Sequence, residues 1–377
     1  MKTILVTGAD GYCGWPTILR LLSEIPMCKV IGVDNQSRRE WVKEIGSDSV
    51  IPIYNLYERS KLVDKDKLEV FKNCDLTDYN IVNDLFTKYK PDIVLHLASQ
   101  PSAPYSHIDI EHCNFTQHNN LQMLRNILWS LNNNKMDRTH LVVTTTTGIY
   151  GAPSFRIPEG NLDIVDKLLP YPSMGGSWYH MSRAHDAANL WLANKQFNFP
   201  ITEMRTSIVV GSSTRETRVD PILATRTDVD FYFGVVTNRF VAMALKNEPL
   251  TIYGKGLQGK PMISLEDMVK SMVDICKVDP TSRENKYEIY NQMEKVVPIV
   301  DIAQTIKATM NIMFGLNVEI KHIPNPRIED ESHHMEMDNF KFKKLIGGKF
   351  ICPIEQAVSQ MCSDLYKYKD RIGKFSN

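Results

Sequence analysis

The chain has no surplus of charge of either sign: 44 lysines and arginines stand against 44 aspartates and glutamates in 377 residues. A protein that grips nucleic acid through counterion release carries a basic excess, so no nucleic-acid partner is expected, and any anionic ligand must meet locally placed donors. No stretch approaches the roughly 18 apolar residues of a membrane span, and the opening MKTILVTG is too short an apolar run for a signal-peptide core. Neither membrane attachment nor secretion is expected. Cysteine is sparse: Cys13, Cys28, Cys74, Cys113, Cys276, Cys352 and Cys362 are odd in number, scattered, and never spaced Cys-x-x-Cys. That argues against a disulfide frame or a metal site and for reduced thiols in a cytoplasmic protein. Internal repeats and low-complexity linkers are lacking as well. The remainder is globular, 43% hydrophobic and 23% charged, with a length that suits one large or two intimate domains.

What the sequence does have is a rhythm. Compact apolar runs at Lys2–Thr7, Val30–Asp34, Glu69–Cys74, Asp92–Leu97 and His140–Thr145 read as buried strands, and Trp15–Ile25, Tyr79–Tyr89 and Glu111–Leu131 carry the spacing of helices with one apolar face. Strand and helix in alternation predict an α/β fold, a doubly wound parallel sheet covered on both sides. Beyond Ile201 the regularity weakens, and strands at Leu250–Tyr253 and Lys286–Asn291 are separated by longer loops and helices. Glu40–Lys67 is long for a connection within such a sheet, and loops of that length are more often functional than idle.

Directly after the first strand, Gly8, Gly11 and Gly14 form a Gly-x-x-Gly-x-x-Gly turn with Asp10, Tyr12 and Cys13 inside it. Glycines there permit a tight turn and let the backbone amides of a helix N-terminus approach a pyrophosphate. Asp34 ends the second strand, 20 residues after Gly14, where a carboxylate accepts hydrogen bonds from a ribose diol. Together these predict a Rossmann-type dinucleotide site over residues 1–200 and a smaller, interleaved substrate-binding part over residues 201–377. The acid at Asp34 favours NAD, since it would repel a 2′-phosphate. Arg38 and Arg39 are read as lying on a solvated loop or stacking on adenine, in preference to binding phosphate.

At the end of the fifth strand, Thr144 to Thr147 precede Gly148-Ile149-Tyr150-Gly151, and Tyr179-His180-Met181-Ser182-Arg183 follow. A tyrosine and a cation four residues apart share one helix face. A nearby cation lowers a phenol's pKa, so Tyr179 is a candidate base for oxidising a sugar hydroxyl and a candidate acid for the return.

The glycine pattern, Asp34, Thr146 and the Tyr-x-x-x-basic pair resemble the extended short-chain dehydrogenase/reductase superfamily, whose members modify nucleotide sugars. The likeness narrows at Gly11-Tyr12-Cys13-Gly14-Trp15, Val33-Asp34-Asn35 with Arg38-Arg39, Ser102-Ala103-Pro104-Tyr105-Ser106 and Thr116-Gln117-His118-Asn119-Asn120. It continues at Tyr179-His180 with His185-Asp186, Thr251 to Gly256, and Ile323-Pro324-Asn325-Pro326-Arg327 with Glu329, Glu331 and His333. These blocks resemble the UDP-sulfoquinovose synthase family and span almost the whole chain.

That resemblance implies a tightly bound NAD that oxidises C4 of UDP-glucose, loss of water across C5 and C6, addition of sulfite at C6, and re-reduction. It implies Thr146, Tyr179, Arg183 and His180 as catalytic residues, with Arg183 in the place of the family lysine and His180 as a proton shuttle. For the cofactor it implies Gly8, Asp10, Gly11, Tyr12, Cys13, Gly14, Asp34, Asn35, Arg38, Asp75, Leu76, Leu97, Ala98, Ser99, Asn120, Tyr179 and Arg183. For the UDP-sugar it implies Ser102, Tyr105, Thr147, Arg239, Thr251, Tyr253, Gln258, Lys260 and Arg327. A homodimer through helices near Asn120 and Tyr179 is implied too.

The chain departs from the family at Arg183, at Ser99-Gln100-Pro101-Ser102 where the family has Glu-Gln-Arg-Ser, at Thr147-Gly148-Ile149 where it has Met-Gly-Glu, and at Lys260 where it has arginine. These changes leave cofactor binding intact and bear on the sulfite step. A UDP-sugar 4-epimerase, which needs only oxidation, rotation and re-reduction, therefore stays open as an alternative. So does a catalytically silent NAD and nucleotide-sugar binder. Sugar-nucleotide 4,6-dehydratases carry Asp and Glu just after the catalytic threonine, where this chain has Thr147 and Gly148, which argues against that activity.

Overall fold

The computed structural model describes residues 1–151, 153, 156–164, 167–169, 174–283, 285–324 and 335–373. Its centre is a seven-stranded, wholly parallel sheet formed by β1 (Lys2–Thr7), β2 (Cys28–Val33), β3 (Leu68–Phe71), β4 (Ile93–His96), β5 (His140–Thr146), β6 (Ile201–Thr206) and β7 (Tyr287–Gln292), in the order β7-β6-β5-β4-β1-β2-β3. The order reverses between β1 and β4, and in open α/β sheets ligands bind outside the carboxyl ends of the strands at such a switch point. The expected α/β, Rossmann-type fold is the fold observed.

Side chains alternate across the sheet with the period of two that strands impose. Ile4, Val6, Val30, Ile93 and Leu95 pack on one side against Trp15, Ile18, Met268 and Met272 of the helices Gly14–Glu24 and Leu265–Lys277. Leu5, Ile31, Val94, Leu141 and Val143 pack on the other against Val82, Phe86, Leu124, Ile127 and Leu190 of the helices Tyr79–Tyr89, Ile110–Asn133 and Trp178–Phe197. Four of these helices begin on their own side-chain caps, Asp78, Asp109, Ser177 and Ser264.

The second half of the chain gives two strands to the central sheet and then builds its own core. Phe240, Val241, Ala244, Leu250, Ile302, Val358 and Met361 are buried together there. Two small sheets flank this core: Leu250–Tyr253 pairs with Ile320–Ile323, and Gly259–Ser264 lies between Ile208–Val210 and Lys295–Pro298.

The long connection after β2 is ordered, not a plain loop. It contains the helices Ser37–Glu44 and Leu56–Ser60, the second closed by a reciprocal Asn55–Glu58 capping box. It also ties the two halves of the chain together. Val50 N–H donates to Thr227 O at 3.0 Å, Thr227 N–H to Ser49 Oγ at 2.9 Å, and Arg371 Nε to Val50 O at 3.0 Å. Among the described residues no helix is long and apolar enough to cross a membrane, no group of His, Cys, Asp or Glu could hold a metal ion, and all seven cysteines are free.

Candidate active site

The carboxyl ends of β1, β2, β4 and β5 bring most of the expected residues together. At the end of β1, Gly8 has φ +74°, and a Cβ on it would lie 2.9 Å from the Ala98 nitrogen. A Cβ on Gly14 would overlap the Gly8 carbonyl oxygen, so the helix can start this close to the strand only with glycine there. The side chain of Cys13 caps nothing and the first turn of its helix carries no acid, which leaves the N-terminal amides of Gly14–Glu24 without a carboxylate partner. Such an end is suited to an anion. Thr7 Oγ1 ties the floor together: it accepts from the Leu97 and Ala98 amides, both at 3.1 Å, and lies 2.9 Å from His96 Nδ1. Burial, reinforced by Arg183, pushes the His96 pKa down to about 3, so this imidazole is neutral.

Asp34 follows β2. One carboxylate oxygen accepts from the Asp10 amide at 2.9 Å and the other from the Gln36 amide at 2.5 Å. Burial, and then the neighbouring Asp10, raise its pKa to about 6. The Asp10 side chain is 3% exposed and faces two arginines: Arg39, at 2.6 and 3.0 Å, and the fully buried Arg59, whose guanidinium stacks 4.5 Å from the Trp15 ring centroid. Arg38 points elsewhere, donating to Asp228 Oδ2 at 2.8 Å and lying 3.7 Å from the Phe233 ring centroid. The reading of Arg38 and Arg39 as residues of a solvated loop is thus corrected: both lie in the Ser37–Glu44 helix and each holds an aspartate. Arg59 and Asp228 carried no motif, and the sequence reading missed them.

Further along, Asn35 Oδ1 accepts from the Ser37 amide at 3.1 Å, Asp75 Oδ1 from both the amide and hydroxyl of Thr77 at 2.9 Å, and Leu76 O from Asn126 at 2.9 Å. Asn120, fully buried, bonds the Gln100 amide at 2.8 Å and Ser182 Oγ at 3.0 Å, fixing the partly buried Ser99 segment against the Tyr179 helix. Tyr12 donates its hydroxyl to Gly211 O at 2.6 Å and so reaches the second half of the chain.

The chemical end of the site is built from β5 and the Trp178–Phe197 helix. Thr146 Oγ1 accepts from the Gly148 amide at 3.1 Å and also acts on Tyr179, drawing its pKa down. Arg183 does the same through its charge. Burial outweighs both, so the Tyr179 phenol sits above its ordinary value, opposite to what the cation alone led us to expect. The Arg183 side chain is nearly fully buried; Nη2 donates to Thr144 O, and Nη1 stands 2.7 Å from Asp186 Oδ2. His180 Nδ1 lies 2.9 Å from Ser177 Oγ, and its ring lies over Gly148, where any Cβ would overlap Cδ2 and Nε2.

The expected substrate contacts fall into two groups. Near the site, Thr147 is buried, Ser102 Oγ donates to Tyr232 O at 2.5 Å and accepts from the Tyr105 amide at 3.0 Å, and the Tyr105 hydroxyl donates to Glu44 at 2.6 Å. The others stand in the second half of the chain: Thr251 and Tyr253 on one small sheet, Lys260 on the other, Gln258 donating to Tyr253 O at 3.3 Å, and Arg239 5.1 Å from the Phe231 ring centroid. Arg327, with Asn325, Pro326, Glu329, Glu331 and His333, lies outside the described residues.

The site fits a dinucleotide on structural grounds. A glycine cradle that any Cβ would fill, a helix start without its own acid, and an acid at the end of β2 all meet there. His96 Nε2 is a buried polar atom without a hydrogen bond among the described residues.

Comparison with known proteins agrees. The profile of the NAD dependent epimerase/dehydratase family matches residues 4–291. The chain is 34% identical to the UDP-sulfoquinovose synthase of Sulfolobus acidocaldarius, over 99% of this chain and 95% of that one. It is 33% identical to the chloroplastic UDP-sulfoquinovose synthase of Spinacia oleracea, over 98% and 77%. In fold it is similar to the UDP-glucose 4-epimerase of Thermotoga maritima solved with UDP-glucose, with TM-score 0.71, 17% identity, and 98% of this chain and 99% of that one covered. The UDP-glucuronic acid 4-epimerase of Bacillus cereus, solved with UDP-glucuronic acid and NAD, gives TM-score 0.70 and 18% identity over 97% and 99%. With its cofactor cradle, its Thr146–Tyr179–Arg183 grouping and these relatives, the chain belongs to the NAD-dependent epimerase/dehydratase family, among the UDP-sulfoquinovose synthases.

Proposed function

We propose that this enzyme makes UDP-sulfoquinovose from UDP-glucose and sulfite with a retained NAD. The observation that carries this reading is the meeting of Thr146, Tyr179 and Arg183 at the carboxyl end of β5, one strand from the switch point, in a chain similar to sulfoquinovose synthases from end to end. NAD, when bound, supplies reversible hydride exchange at C4 of the sugar. Tyr179 takes the proton of the 4-hydroxyl on oxidation and returns it on re-reduction, while Thr146 holds the same oxygen. Arg183 contributes positive charge beside Tyr179 and eases the phenolate that proton uptake requires.

A 4-keto group acidifies the C5 hydrogen. His180, with Nδ1 held by Ser177 and Nε2 over Gly148, removes that proton, and the C6 hydroxyl departs as water. The sulfur of bisulfite then bonds to C6 while C5 regains a proton. The balance is UDP-glucose plus bisulfite giving UDP-sulfoquinovose plus water.

The remaining roles are carried over from the likeness to the UDP-sulfoquinovose synthases. Gly8 to Gly14 and Asp34 hold the pyrophosphate and a ribose of NAD, with Asn35, Arg38, Asp75, Leu76, Leu97, Ala98, Ser99 and Asn120 around the rest. Ser102, Tyr105 and Thr147 line the sugar, and Arg239, Thr251, Tyr253, Gln258, Lys260 and Arg327 take the UDP. A dianionic pyrophosphate needs such local cations in a chain of zero net charge. On this division residues 1–200 mainly bind NAD and residues 201–377 mainly bind the nucleotide sugar. The enzyme works as a cytoplasmic homodimer. Support for the dimer comes from Ile110, Phe115, Trp129, Trp178, Trp191 and Leu192, exposed apolar residues on the two helices that pack together beside the site.

The test is to incubate the purified enzyme with UDP-glucose, with and without sulfite, and identify the sugar nucleotides by chromatography and mass spectrometry. A sulfonated product that requires sulfite is expected. An isobaric C4 epimer, or binding without turnover, would overturn the assignment.

A further inference from the structure

Asp186 is fully buried one turn beyond Arg183 on the same helix. A carboxylate without water survives only beside a cation. The Arg183 guanidinium is the one charged group within ion-pair distance of it among the described residues, at 2.7 Å. The guanidinium is in turn pinned from the other side by Thr144 O, at the end of the strand that carries Thr146. Arg183 therefore cannot turn toward a sugar without abandoning both partners. Its influence on the reaction runs through its charge on Tyr179, and Asp186 opposes that charge, raising the phenol's pKa as Arg183 lowers it.

We propose that Asp186 is a positioning residue for the oxidation step: it anchors Arg183 against the end of β5 and sets how much positive charge reaches the Tyr179 hydroxyl. The proposal rests on Tyr179 being the proton acceptor.

The surroundings of the pair are charged on several sides and otherwise self-compensating. Glu203 on β6 is satisfied by Arg205 at 2.9 Å, Thr145 Oγ1 at 2.7 Å and the Tyr287 hydroxyl at 2.5 Å, and it acts on Asp186 only as a distant like charge. Arg125 on the Ile110–Asn133 helix is a weaker, distant attraction. Cys13 and His96 complete the ring of titratable groups: Cys13 faces Tyr179, and His96, kept neutral, faces Arg183. A lysine at position 183 would meet these two acceptors as a point charge, without the guanidinium's planar fork.

The test uses the full-length, NAD-loaded enzyme and follows reduced cofactor formed in a single turnover with UDP-glucose, as a function of pH. This readout does not need sulfite or the final product, so it stays informative if the synthase assignment fails. Asp186→Asn unmasks the Arg183 charge, and the limb that reports Tyr179 moves down by about one pH unit. In an Arg183→Met background the orphaned Asp186 takes up a proton, so adding Asp186→Asn there changes nothing. A limb that stays put or moves up in Asp186→Asn, or an equal shift in both backgrounds, overturns the proposal.

Should the single variant not fold, Arg183→Met/Asp186→Asn removes both buried charges together, a replacement that folds tolerate. Its limb is expected within a few tenths of a unit of the parent's. A rise of a full unit in the limb of the folded, NAD-loaded double variant would show that Asp186 does not offset the guanidinium's charge and refute its role.

Discussion

Replacing Asp10 by asparagine strikes the cofactor turn and the long connection together. The carboxylate, 3% exposed, is shared by Arg39 and the fully buried Arg59. Burial already weighs on Arg59 enough to draw its pKa down to about 10, with Asp10 the main opposing charge. Removing one partner of a buried pair leaves an uncompensated charge and costs about 3–5 kcal/mol. The Arg39 pair, whose arginine side chain keeps 20% of its exposure, adds about 1 kcal/mol at most. Asp10→Asn should thus lose about 4 kcal/mol, read as a lower urea midpoint with unchanged slope and a melting temperature lower by on the order of 5–10 °C. Arg59→Met added to Asp10→Asn removes the stranded cation and keeps an apolar body against Trp15, so the double variant should regain at least half of the loss. A single variant within about 1 kcal/mol of the parent, or a double variant weaker than the single, would refute the reasoning.

Tyr179→Phe should retain NAD through gel filtration yet form no reduced cofactor with UDP-glucose, since one hydroxyl is lost and little packing; turnover within about tenfold of the parent would remove Tyr179 from proton transfer. Asp34, with its pKa raised to about 6, is protonated below that pH in the cofactor-free protein. A ribose diol donates to the ionised form, so NAD affinity should climb as pH rises through about 6, by up to tenfold per unit, and Asp34→Asn should flatten the profile. The same raised value makes ionised Asp34 a liability to the cofactor-free fold above that pH, so stability gained below it is lost as pH rises. Calorimetric titrations that give one NAD dissociation constant from about pH 5 to 7 would contradict this. Finally, Trp129, 52% exposed, and Trp191, 36% exposed, lie on the helices assigned to the dimer. Trp129→Asp/Trp191→Asp should leave a species of monomer mass in light scattering while the parent runs as a dimer, and a parent already monomeric would end that assignment.

The features legible in the sequence were those whose cause is local. The run Ile4-Leu5-Val6, the glycines that follow and the acid at the end of β2 lie within 34 residues and announce a strand, a turn and a helix by their own stereochemistry. Tyr179 and Arg183 were visible for the same reason, being one helical turn apart. What stayed hidden depends on partners far along the chain. Arg38 meets Asp228 across 190 residues and Arg59 meets Asp10 across 49, and no spacing rule encodes such pairs. The connection after β2 read as a long loop because its helices are short and its anchors, Thr227 and Arg371, come from the other half.

The sequence alone determined the parallel α/β architecture and the preference for NAD, and set Tyr179 and Arg183 one helical turn apart, because periodicity, glycine geometry and residue chemistry act over a few residues. Tertiary structure alone decided the electrostatics. Burial, which no sequence window measures, lifts Tyr179 above its ordinary pKa despite Arg183, and the approach of Thr144 O and Asp186 turns Arg183 from a free cation into half of a buried pair. A net charge of zero is a sum over the chain; which charges face the reacting atoms is fixed only when the helix docks on β5.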